Sequence, residues 1–542
     1  LILYDPNRQA DEVTVASRLR PGLHEAEVIA EGGWGQWALE GFIVAREEPE
    51  RPTKPLAGAS AFLLLIGLYA AARAGRESWS GLAFRLAGLS RRLRLPDERW
   101  YAPLVAILGL AFVFSPWLPL DLLSLALMAI LLAQRPHLGP ALIAAYLPFF
   151  LHTKVLAGRS ISPVEWGTLA LTGLLFLRAF GERLRDRRMT VRLSALDAGV
   201  LAFLAAAALA TAFATHQGVA RHEFRRVLLE GALFYLLVSR TARSPWPIVH
   251  GWVVGGVGVS LFAIYQAFVS GDVIVAEGVR RVHALYGSPN NLALYLDRIL
   301  PLLVAVVAFA RSRSLRFSYA LAALPIALAL FLTFSKGAWL LGLPAAFLFL
   351  GLARGRRALL LMIGAMGASA LALIPFLGTE RFARTLDLRT GTTFFRLRLW
   401  QGTLNMLKDH PWFGVGPDNF LYLYRARYAL PDAWQELGLS HPHNLVLDLW
   451  TRLGVLGLAS GLWLLTTAFR QGWTLSRCLP DADERALALG LLASLVATVA
   501  HGLIDNSFFL VDLMFVFMMT LGLIRAMDDP RGKATHSPSL PP

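Results

Sequence analysis

The chain of 542 residues is 56% hydrophobic and only 16% charged, with a mean hydropathy of +0.52; this is too apolar for a soluble multidomain protein and ordinary for a polytopic membrane protein. The formal net charge of +15 does not point to nucleic acid, because the basic residues cluster in short loops between apolar runs, which is a topology signal. A single cysteine, Cys478, excludes an intramolecular disulfide and argues against a Cys-based metal cluster.

The chain opens on LILYDPNRQADEV, without a basic n-region or cleavable h-region, and supports no targeting reading. Over 1–50, short runs such as EVTVAS, HEAEVIA and QWALEGFIVA, broken by RPG and EGG, predict a small external β-rich segment. An extra transmembrane helix is expected at 56–74, then a basic cytoplasmic linker at 76–100. Further spans are expected at 102–118, 119–134, 139–153, 165–180, 196–214, 226–241, 248–269, 291–310, 316–334, 337–352, 357–377, 444–468, 486–504 and 508–525, since each apolar run is long enough to cross the hydrocarbon. The runs lack the alternation of barrel strands, so the fold class is an all-α polytopic membrane protein of about 14–15 transmembrane helices with a long external loop over 378–443. The tail over 526–542, ending PRGKATHSPSLPP, is expected to be disordered and cytoplasmic.

Alternation of the spans puts RESWSGLAFRLAGLSRRLRLPDER (76–99), GERLRDRRMTVR (181–192), SRTARS (239–244), ARSRSLRF (310–317) and ARGRR (353–357) on one face. By the positive-inside rule that face is cytoplasmic. The loops at 215–225 and 270–290 and the long 378–443 segment are then external.

Arginine is disfavoured on the external side, yet Arg221, Arg225 and Arg226 sit in THQGVARHEFRR, Arg280 and Arg281 in GVRRVHALYGSPNN, and Arg396 and Arg398 in FFRLRLW. Guanidinium forks at helix mouths suit an anionic ligand at the membrane boundary, such as a lipid-linked diphosphate. They equally suit contacts with lipid headgroups, the role expected for Arg226, or pairing with Glu223 and Glu277. The segment LSHPHNLVLDLW places His441 and His443 before a long apolar helix, with Asn444 as its expected N-cap. Such histidines can ligate a metal, serve as plain hydrogen-bonding groups at the interface, or act as a general base kept neutral by a helix N-terminus and nearby arginines. Asp448, one turn further in, is an intramembrane carboxylate and so a functional candidate, or a group satisfied inside the bundle.

Taken together and in this order, ISPVEWGTLALTGLLFLR, YGSPNNLALYL, TFSKGAWL (333–340), RLRLWQGTLNMLKDHPWFGVGPDNF (396–420), HPHNLVLDLWTRLGVLGL and HGLIDNSFF (501–509) resemble the O-antigen ligase and O-antigen polymerase superfamily over 101–525. The resemblance implies a membrane glycosyltransferase, independent of metal or other cofactor, in the bacterial inner membrane with its active site on the periplasmic face. The donor would be a glycan on undecaprenyl diphosphate, and the acceptor a sugar hydroxyl on lipid A core or another glycan. It puts the essential histidine on His443, with His441 assisting, and the diphosphate-binding arginines on Arg281 and on Arg221 or Arg225. Arg280, Asn290, Arg396, Arg398, Asn444 and Asp448 are the supporting residues. The N-terminal β-rich segment and its span depart from the family pattern. The rival readings are a lipid-linked glycan transporter, which would carry charges along the middle of its spans, and a peptidoglycan-type polymerase using a loop carboxylate such as Asp432.

Overall fold

The computed structural model describes residues 100–528, apart from 116, 136, 157–158, 186–192, 277, 374–391, 437 and 507. The expected β-rich segment, the span at 56–74, nearly all of the linker and the tail beyond 528 lie outside the described residues. So do most of the 181–192 loop and the first part of the long loop.

The chain is a helical membrane bundle: α1 (Tyr101–Phe114), α2 (Leu118–Gln134), α3 (Leu138–Tyr146), α4 (Pro163–Arg185), α5 (Ala195–Ala212), α6 (Gln217–Glu223), α7 (Glu230–Thr241), α8 (Trp246–Tyr265), α9 (Pro289–Phe309), α10 (Arg313–Leu332), α11 (Leu343–Arg354), α12 (Arg356–Leu373), α13 (Thr392–Asp409), α14 (Phe420–Leu423), α15 (Leu445–Cys478), α16 (Ala482–Gly502) and α17 (Val511–Asp528). Among the described residues six helices are long and apolar enough to cross a membrane: α5, α8 with its extension to Ser270, α9, α10, α15 and α16. Even the shortest, with 18 residues, spans about 27 Å at about 1.5 Å per residue. The protein is therefore a multi-pass membrane protein. Burial sorts the helices by position: 78% of the apolar window of α9 and of α16 is buried, against 22% for α10. The α9 and α16 helices pack along each other at the centre while α10 turns most of its surface outward.

Local chemistry sets the helix starts. Ser194 and Asp197 form a capping box at α5, with Ser194 Oγ accepting from Asp197 N at 3.1 Å and Asp197 Oδ2 accepting from Ser194 N at 2.8 Å. Ser288 caps α9, with Pro289 at the first helical position. The span expected from 226 begins earlier, at Gln217, and reaches Glu230 through a π-helical stretch over Phe224–Leu229. The α15 helix breaks at Gly454, whose φ of +69° only glycine adopts freely. Into that break runs the HPWFGVG segment: Val415 N donates to Thr451 O at 2.7 Å and Val455 N to Pro411 O at 3.2 Å.

The expected long loop is not an open loop in its described part. It holds α13, α14 and a 3₁₀ turn at Pro431–Glu436, with a small core of its own from Leu399, Met406, Val415, Phe420, Leu423 and Tyr424. Interloop contacts gather one end of the bundle. His216 N donates to Asn419 Oδ1 at 2.6 Å, Asn444 Nδ2 to Leu503 O at 3.0 Å, and Arg281 Nε to Thr333 O at 2.7 Å.

Candidate active site

The candidate site lies at this end, where α15 begins. Asn444 Oδ1 accepts from Val446 N and Leu447 N, both at 3.1 Å, and so caps the helix. The residue before it, His443, has φ +48°. For a non-glycine residue that left-handed conformation costs about 1–3 kcal/mol and persists only where its surroundings enforce it. Here the enforcing contact is Asp505, in the turn between α16 and α17. His443 Nδ1 donates to Asp505 Oδ1 at 2.9 Å, an oxygen that also accepts from Asn506 N at 2.9 Å. Fixing the proton on Nδ1 leaves Nε2 as the basic nitrogen.

Burial lowers the pKa of His443 and the facing His441 ring lowers it further, against the upward pull of Asp505; the charge of Arg396 adds to the lowering. The net direction is downward, so the imidazole is neutral at pH 7. Asp505 is also buried, which alone would raise its pKa, yet hydrogen bonds from His441 and His443, with the charges that His443 and His501 carry when protonated, hold it well below the usual carboxylate range. The His441 ring lies tilted against that of His443, with centroids 4.1 Å apart and planes at 55°, and has its Nε2 3.8 Å from Asp505 Oδ1. The ligand atoms of His441, His443 and Asp505 fall within 4.8 Å of one another, close enough for a cation to fit among them.

The arginines separate by environment. In the hairpin of β1 (Ile274–Ala276) and β2 (Val279–Arg281), strand alternation exposes Arg280 and buries Val279 and Arg281. Arg281 is clamped by Thr333 O through Nε, and through its second guanidinium nitrogen by Asn290 Oδ1 at 2.6 Å; this accounts for Asn290 at the start of α9. Arg225 pairs with Glu165, on the ISPVEW segment, and with Glu230 at 2.9 Å. Arg221 is exposed and donates to Gln217 Oε1 at 2.5 Å. Arg226, expected to face headgroups, is instead 7% exposed, because its helix starts at Gln217 rather than at 226 and carries it inside.

Arg398 binds Asp432 at 2.7 Å, which engages the carboxylate that the polymerase alternative would need. Arg396 lies one helical turn from Trp400, whose Nε1 donates to Pro442 O, between the two histidines, at 2.9 Å. Asp448 points at neither histidine. Its carboxylate binds Arg452 at 2.8 Å, with Glu223 and Asp418 each 3.6 Å from the same guanidinium, and Phe509 lies under that cation. This buried cluster ties α6, the HPWFGVGPDN segment, α15 and the 503–510 turn together.

Residues 320–462 match the family model described as O-antigen ligase. That stretch of the chain is thus similar to the O-antigen ligase family. The chain is similar to the O-antigen ligase of Pseudomonas aeruginosa, with 30% identity over 176 residues, or 32% of this chain and 37% of that protein. The chain therefore matches well under half of that relative's length. The family match contains His441, His443, Arg396 and Arg398, begins after Arg281 and ends before Asp505. Asp505 and Arg452 escaped the sequence reading as site residues. The signal for Asp505 was present in HGLIDNSFF, a carboxylate closing an apolar span, but its pairing with a histidine 62 residues earlier is a tertiary fact.

Proposed function

We propose that the protein is a glycosyltransferase of the O-antigen ligase or polymerase type, which moves a glycan from undecaprenyl diphosphate to an acceptor sugar hydroxyl on the external face of the bacterial inner membrane. The observation that carries this reading is the hydrogen-bonded pair of His443 and Asp505, in a chain whose residues 320–462 match the O-antigen ligase family model. His443 Nε2 takes the proton of the acceptor hydroxyl, and Asp505 holds the ring and stabilises the imidazolium that forms. Arg281, with Arg221 or Arg225, neutralises charge on the departing diphosphate. That leaving group needs no metal activation, and direct displacement by the acceptor hydroxyl, with Asp505 engaged by His443, implies inversion at the anomeric carbon. Chelators are expected to leave turnover unchanged; chelator-sensitive activity restored by zinc would instead assign His441, His443 and Asp505 to a cation.

The pH dependence follows from the same pair. The base works when neutral, so turnover rises with pH through the His443 pKa, which lies below the ordinary histidine value. Asp505 opposes that lowering, so Asp505→Asn is expected to move the acidic limb to still lower pH while reducing the plateau. An unmoved limb would mean that the titrating base is another group.

Sidedness is tested by single cysteines in a Cys478→Ala background. Cysteines at Gln217, Asp272 and Gly438 are expected to react with an impermeant thiol reagent applied outside intact cells, and one at Arg357 only after permeabilisation. Labelling of position 357 from outside would invert the topology and remove the site from the external face.

A further inference from the structure

Beneath the His443–Asp505 pair the bundle holds a second histidine–carboxylate pair. Asp297 of α9 and His501 of α16 are 0% and 1% exposed, with Asp297 Oδ2 2.6 Å from His501 Nδ1. The remaining polar atoms, Asp297 Oδ1 and His501 Nε2, are buried without partners. Such a pair is a poor stabilising device, because two well-packed apolar side chains in its place would serve stability as well or better. What it provides is a fixed geometry between two central helices.

The segment entering α11 is shaped around it. A methyl group at Gly337 would overlap the His501 ring, and one at Gly342 would sit 2.7 Å from Asp297 Oδ2. Two strings of the sequence thus meet here, TFSKGAWL through Gly337 and HGLIDNSFF through His501. The other end of each touches the candidate site: Thr333 O clamps Arg281, and Asp505 holds His443. His501 lies in the last turn of α16 and Ile504 N donates back to His501 O at 3.0 Å, so a clamp on the His501 ring fixes the start of the turn that presents Asp505. The charged groups near the pair are Arg298, whose guanidinium donates to Leu513 O at 3.0 Å, and Asp505 itself.

We propose that Asp297 is a positioning residue for the transfer reaction, holding His501 so that the end of α16 seats Asp505 against His443. This rests on the base reading of His443. The experiment is a double-mutant cycle on the full-length protein in lipid, with transfer from a lipid-linked oligosaccharide as the readout. Asp297→Asn keeps the side-chain volume and is expected to lower kcat by up to about 10²-fold, the cost of a misplacement near 1 Å, with donor KM unchanged. In an Asp505→Asn background the same change is expected to have little further effect, since the residue it acts through is already gone. Gly337→Ala, which displaces the His501 ring while keeping both side chains, is measured in the same way and carries the test if Asp297→Asn does not fold. Full additivity with a slow Asp505→Asn enzyme, a raised donor KM, or an unchanged kcat would overturn the proposal and leave the base reading standing. Wild-type turnover in Asp505→Asn alone would bring down both.

Discussion

Replacing His443 by alanine is expected to lower turnover by about 10²–10⁴, the usual contribution of a positioned base, while protein yield and donor affinity stay near those of the wild type. His443 sits at the mouth of α15 rather than in its packed interior, with its side chain 22% exposed, so the change opens little of the core. His441→Ala is expected to cost less, because its imidazole stands 3.8 Å from Asp505 and serves as a neighbour to the base. Turnover and donor binding measured side by side for the two variants check the assignment. A larger loss at His441 than at His443 would exchange their roles.

Arg281→Ala is expected to reduce transfer by about 10²–10³, comparable with removing one donor that stabilises transition-state charge in a water-poor site. The structure adds a reason why lysine cannot replace it. The guanidinium is held at two points, by Thr333 O and by Asn290 Oδ1, and an ammonium cannot reproduce that planar fork. Arg281→Lys should therefore recover only part of the activity. Arg280→Ala, on the exposed face of the same strand, is expected to be mild. Titration of each variant with undecaprenyl diphosphate provides the check: loss of activity with unchanged product affinity would move the diphosphate away from Arg281.

The spans were legible because apolar runs of membrane length leave a helical chain little alternative. Their alternation with basic loops also told which ends gather together. The Asn444 cap followed from position alone, since a helix start carries its own chemistry. Side-chain direction was less accessible. Arg280 and Arg281 are neighbours in sequence, and only the strand pairing with Ile274 and Val275 decides that Arg281 turns inward. Asp448 was a reasonable suspect, but its partner is Arg452 one turn along the same helix. Asp505 and Asp297 find their histidines across 62 and 204 residues, separations at which sequence pattern carries no information about contact. The 378–443 segment read as a loop because its apolar residues are too few for a span, yet they suffice for a small core around Tyr424 and Phe420.

The proposed reaction forms a glycosidic bond at the expense of a lipid diphosphate. It is tested most directly by reconstituting the purified protein in vesicles with a labelled glycan on undecaprenyl diphosphate and a lipid A core or glycan acceptor. The expected result is label on the acceptor with inverted anomeric configuration and one undecaprenyl diphosphate released per bond formed. Label that crosses the bilayer still attached to its lipid, with no new glycosidic bond, would rule out a transferase and make the protein a transporter.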